Sequence, residues 1–137
     1  MRYVRALALA LSPGLLLPQA LAAAPQTAPT TECHTITKAD FDKAFADART
    51  KPGVKVSNYK FVTRILYPDG NTADFFTRRN NKAHPAYVRR SVAINGNDIA
   101  IETQGYAAGS APVCGRWLKG FVSENSKIKA AIANAPH

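Results

Sequence analysis

Three histidines, nine carboxylates and two cysteines are what the 137-residue chain offers for chemistry, and few of them stand at a useful spacing. Hydrolysis needs a general base and a general acid converging on one reacting atom. With His137 terminal, the pair that remains is Glu102 with His84, the latter lying before Pro85 in a polar stretch close to Arg78 and Tyr87. A carboxylate base, an imidazole acid and arginines around a phosphodiester would suit RNA cleavage. Cys33 and His34 are adjacent rather than spaced as zinc ligands, and aspartates 40, 42, 47, 69, 74 and 98 lack the alternating loop that holds calcium. A glycine-rich phosphate loop and a nucleophile elbow are both missing, so no metal or cofactor is expected.

The charge points elsewhere. Lys and Arg number 18 against 9 Asp and Glu, which draws an acidic partner. The densest positive cluster is Arg78-Arg79-Asn80-Asn81-Lys82 with Arg89-Arg90. Phosphate, lipopolysaccharide head groups, acidic polysaccharide or an acidic protein would all be attracted to it.

Residues 1–22 read as a signal peptide. Arg2 and Arg5 precede an apolar run too short to span a bilayer, and Ala20-Leu21-Ala22 matches a signal-peptidase site. Residues 23–32, rich in Pro, Thr and Ala, read as a flexible tail, and 33–137 as a single domain. Export places the protein in the periplasm or outside the cell. Cys33 and Cys114 then meet a disulfide-permissive compartment and are expected to pair, tying the two ends of the domain together. No segment after residue 22 is long and apolar enough for a transmembrane helix.

The fold expected of that domain is α+β. Thr37 caps a helix whose apolar stripe is Phe41, Ala44, Phe45 and Ala48, stopped by Pro52-Gly53. From Val54 the period changes to two, and four strands follow as an antiparallel meander, with turn chemistry at Pro68-Asp69-Gly70 and Asn95-Gly96. Ser123 to Ala133 is helical, while 113–122, broken by Gly115 and Gly120, stays open between helix and a fifth strand. In running helix first and antiparallel sheet afterwards, the chain resembles in outline the small secreted microbial ribonucleases. No motif carries that likeness, and here His84 precedes Glu102 instead of following it.

Those turns set an expected register. Ile65 opposes Ala73, Phe75 opposes Arg90, Phe76 opposes Arg89, Val92 opposes Ile99 and Arg89 opposes Glu102. One face, with Tyr59, Phe61, Ile65, Phe75, Val88, Val92, Ile94, Ile99 and Ile101, becomes the core under the Phe41/Phe45 stripe, with Arg90 as its one misfit. The other face presents Arg64, Phe76, Arg78, Tyr87 and Arg89, a basic-aromatic composition favoured at interfaces. The expectation is a non-enzymatic, inhibitor-like binding protein for an acidic protein or an anionic envelope component, with nucleic acid less favoured. A ribonuclease using Glu102 and His84, or a structural envelope component, are the alternatives. Catalysis is not expected, because a Glu102 paired with Arg89 is a poor base.

Overall fold

The Thr37 hydroxyl accepts a hydrogen bond from Asp40 N (3.0 Å), and the Asp40 carboxylate accepts one from Thr37 N (3.1 Å). This reciprocal cap opens helix α1 (Lys38–Thr50), whose Phe41 and Ala48 are buried as the apolar spacing requires. The computed structural model describes residues 31–136, so the expected signal peptide and most of the expected tail lie outside the described residues.

The fold is α+β with one disulfide, but the sheet has six strands where four were expected. They are β1 (Cys33–Thr35), β2 (Lys55–Asn58), β3 (Val62–Leu66), β4 (Thr72–Thr77), β5 (Ala86–Asn95) and β6 (Asp98–Ala107). Their order is β1-β6-β5-β4-β3-β2, with β1 parallel to β6 and every other pair antiparallel. The expected meander forms the middle, and the two extra strands are short edges.

The open segment at 113–122 is helical. Helix α2 (Ala111–Ala133) starts at a Ser110 cap with Pro112 in its first turn, and it runs through Gly115 and Gly120. Its cost in propensity is offset by Cys114 and Leu118, both fully buried, and by Trp117 packed edge-on against Phe121. Cys33 and Cys114 form the disulfide. It joins edge strand β1 to α2 above Gly105, where a Cβ would sit 2.5 Å from Cys33 Sγ, so only glycine fits beneath the bridge.

Register differs from expectation at every hairpin. The β3–β4 loop is the four residues Pro68 to Asn71, because Asp69 Oδ1 accepts from both Asn71 N and Thr72 N and Tyr67 N donates to Thr72 O. One added loop residue pairs Ile65 with Asp74 instead of Ala73. In the β5–β6 hairpin the two loop residues are Gly96 and Asn97, since Gly96 at φ 60° supplies the positive φ needed at the first turn position. Arg89 therefore faces Gln104, and Glu102 faces Ser91. On β4, Phe75 meets Val88 and Phe76 meets Tyr87.

The faces are corrected accordingly. Phe76 and Ile65 of the sheet pack with Phe41 and Ala48 of α1 as the core between them, whereas Phe75 and Val88 belong to the opposite face, which carries α2. The sheet is covered on both sides, so apolar residues recur in both parities. Arg90 lies on the α2 face, with its Nη2 donating to Phe121 O (2.9 Å) and its guanidinium over the rings of Phe75 and Phe121. Its inward position, a misfit under one-sided packing, is a clamp between sheet and helix.

Candidate functional site

Each helix covers only part of its face. Beyond α1, strands β5, β6 and β1 present a row of side chains across the sheet. Tyr87 stacks on the β4 residue Phe76, which is buried beneath α1, with centroids 4.8 Å apart, Tyr106 stacks on Tyr87 at 4.6 Å, and His34 follows at 5.4 Å. Beside this row, Arg89 Nε and Nη2 clamp both oxygens of the fully buried Asp74 at 2.7 and 2.8 Å, and Tyr67 Oη donates to the same carboxylate at 2.6 Å. That carboxylate holds the Arg89 proton more tightly than usual, while burial and then the Asp74 bond push Tyr67 up to about 12. Tyr106 Oη donates to Gln104 Oε1, and Gln104 Nε2 donates to Glu102 Oε1, each at 2.7 Å. The polar groups of this half-face answer one another.

The other candidate lies where the β2–β3 turn, Tyr59 to Phe61, meets the β4–β5 connection, Arg78 to Pro85. Arg78 Nη1 donates to Tyr59 O, Asn80 Nδ2 to Lys60 O and Asn81 Nδ2 to Phe61 O, at 2.8, 2.9 and 3.2 Å. The two asparagines between the basic residues thus lace the two connections into one lobe. Lys60, Arg64, Arg78, Arg79 and Lys82 are its cations, and among the described residues no carboxylate pairs with any of them. Lys60 Nζ stands over the Phe61 ring and the Arg64 guanidinium over the Tyr59 ring, at 5.1 and 5.5 Å. Arg64 Nε is buried without a partner among the described residues. Tyr59 and Phe61 are each 47% exposed, high for aromatic side chains with ordered backbones. A groove of about 400 Å³ opens beside them, lined by Phe61, Val62, Ala83, Val113 and Trp117, with Asn80, Asn81 and Lys82 completing its wall.

The structure divides the basic-aromatic set expected from the sequence. Arg64 and Arg78 belong to the lobe. Phe76 is 1% exposed beneath α1, so it is not a surface residue, and Tyr87 stands within the stacked row. Arg89 is committed to Asp74, not to Glu102. The five therefore do not share one surface. Tyr59, Lys60 and Phe61 of the lobe, and Trp117 of the groove beside it, are the residues that sequence reasoning missed. A readable signal was present, since residues 52–68 contain no acidic side chain.

The hydrolytic pair is not brought together either. The His84 ring packs edge-on against Phe41, and its Nδ1 lies 3.0 Å from both Oγ1 and O of Thr77. Glu102 sits opposite Ser91, five residues along β5 from the Ala86 end, or roughly 17 Å of strand. Among the described residues, no group of His, Cys, Asp and Glu could hold a metal ion, and no helix is long and apolar enough to cross a membrane.

Comparison with family models, with curated proteins and with solved structures finds no match to this chain, so what it does must be argued from the two half-faces themselves.

Proposed function

We propose that the protein is an exported, non-enzymatic binding protein, periplasmic or secreted, that captures an anionic partner, an acidic protein or an anionic envelope component, through the lobe formed by Tyr59 to Phe61, Arg64 and Arg78 to Lys82. The observation that carries this reading is the set of five cations without a carboxylate partner among the described residues, held together by a hydrogen-bonded scaffold. Cations gathered on a rigid end of a domain raise the local concentration of an anion and need little reorganisation to bind it. Arg89, by contrast, has its donors on Asp74. Nucleic acid is less favoured because one cation of the protein itself already stands at the ring of each of Tyr59 and Phe61, in competition with a stacking base. The Cys33–Cys114 disulfide suits an oxidising compartment.

The test is binding to soluble polyphosphate and to a polyglutamate peptide across a salt series. Arg79→Ser with Lys82→Ser is expected to lower affinity roughly tenfold to thirtyfold, at about 1 kcal/mol for each basic side chain near an anionic surface. The salt dependence should flatten with it. Lys127→Ser with Lys129→Ser removes the same charge from the exposed side of α2 and should change affinity far less. Equal losses in the two double variants would mean that net charge, not the lobe, attracts the partner.

A further inference from the structure

Resting on the anion-binding reading of the lobe, we infer that its partner is the surface of an anionic lipid bilayer, with the cations at the phosphate level and Tyr59 and Phe61 at the boundary with the acyl chains.

A soluble polyanion would satisfy Lys60, Arg64, Arg78, Arg79 and Lys82 and nothing else. It would leave two half-exposed aromatic rings and an apolar groove in water, on the same lobe and within reach of the same charges. The lobe combines what an anionic interface supplies in layers. Basic side chains are drawn to acidic head groups, aromatic rings settle at the polar–apolar boundary, and long basic stems lie along apolar surface with their charges outward. Lys60 over Phe61 and Arg64 over Tyr59 already show that pairing of cation with ring. The groove beside Phe61 continues the apolar surface inward as far as Trp117. Charge complementarity sets which surface is chosen, and the aromatic residues set how firmly it is held.

The rings can be removed without dismantling the lobe, because the carbonyls of Tyr59 and Phe61, not their side chains, receive the bonds from Arg78 and Asn81. Trp117 is the only tryptophan of the chain, so its emission reports directly on the groove. The experiment is partition of the purified, exported protein onto phosphatidylcholine vesicles with and without phosphatidylglycerol. It is run beside polyphosphate binding, for the wild type and for Tyr59→Ser with Phe61→Ser. The expected result is phosphatidylglycerol-dependent partition with a blue shift of Trp117 emission, which polyphosphate does not produce. In the double variant, partition falls about tenfold or more while polyphosphate binding persists. Full partition by the variant, or Trp117 emission unmoved by vesicles, would overturn the lipid assignment and leave the anion-binding reading in place. Binding to polyphosphate but not to vesicles would have the same consequence. Failure to bind polyphosphate, polyglutamate or either vesicle would overturn both.

Discussion

Arg89 and Arg78 occupy similar sequence surroundings, each in a pair of arginines near an aromatic residue, yet the fold uses them in opposite ways. On the half-face of β5, β6 and β1, Arg89 is consumed by Asp74, Tyr106 by Gln104 and Gln104 by Glu102. At the lobe, Arg78 spends one guanidinium nitrogen on the Tyr59 carbonyl, and Lys60, Arg79 and Lys82 have no carboxylate partner among the described residues. Both regions are rich in aromatic and polar side chains. Binding capacity lies in what remains unsatisfied after folding, so composition alone cannot tell a closed network from an open one.

The comparison should break first under reduction. The disulfide closes a loop with a sequence separation of 81 and fastens β1, the edge strand next to the networked half-face, to α2 on the opposite face of the sheet. On the chain-entropy model its loss costs about 4 kcal/mol, a large share of a small domain's stability. Urea unfolding with and without reductant should show this loss, and thiol titration of the denatured, unreduced protein should find no free sulfhydryl. Whatever fraction stays folded after reduction should keep its affinity for polyphosphate, because the bonds that lace the lobe do not involve β1 or α2. Affinity lost in step with the disulfide would join the two regions into one functional unit.

Removing a charge from each region gives the next contrast. Asp74→Ala leaves the Arg89 guanidinium and the Tyr67 hydroxyl without their acceptor beside a buried site, and it should cost about 3 kcal/mol in urea unfolding. Lys60→Ser, at an exposed position with no carboxylate partner, should stay within about 0.5 kcal/mol of wild type. A cost below 1 kcal/mol for Asp74→Ala, taken as roughly the value of an exposed pair, would show that the network is decorative.

What could be read from the residues follows the same physical division. Helix α1 was legible to its cap, because Thr37, Asp40 and the Phe41/Phe45 stripe act locally. The disulfide was legible because only two cysteines exist. Edge strands β1 and β2 were not, since three and four residues without apolar alternation are strands only by virtue of their neighbours. The side-chain faces failed on a single loop residue. Asp69 recruits the amides of both Asn71 and Thr72, and the resulting four-residue loop exchanges Phe75 for Phe76 beneath α1. The lobe was half visible as the basic run from Arg78 to Lys82. Tyr59 and Phe61 were hidden by their alternation, which reads as a core face until the turn between β2 and β3 carries them outward.

The finest separation between the regions lies in alkaline stability. Tyr67 is held neutral by burial first and by its bond to Asp74 second, against the opposing charge of Arg89, so its hydroxyl titrates near 12 in the folded protein instead of near 10. A folded-state value raised above the unfolded one contributes stability that is fully present below pH 10, and that is lost as pH rises through 12. The effect is modest, because Tyr67 is only partly buried and solvent screens its interactions. Urea midpoints measured from neutral to strongly alkaline pH should fall more steeply in the wild type than in Tyr67→Phe, which has no proton to lose at that site. Arg78→Ser, in the lobe, should retain the wild-type slope, because neither Asp74 nor Tyr67 is among its partners. If Tyr67→Phe and wild type trace the same alkaline decline while Arg78→Ser flattens it, the titrating network lies at the lobe, and the roles assigned to the two half-faces must be exchanged.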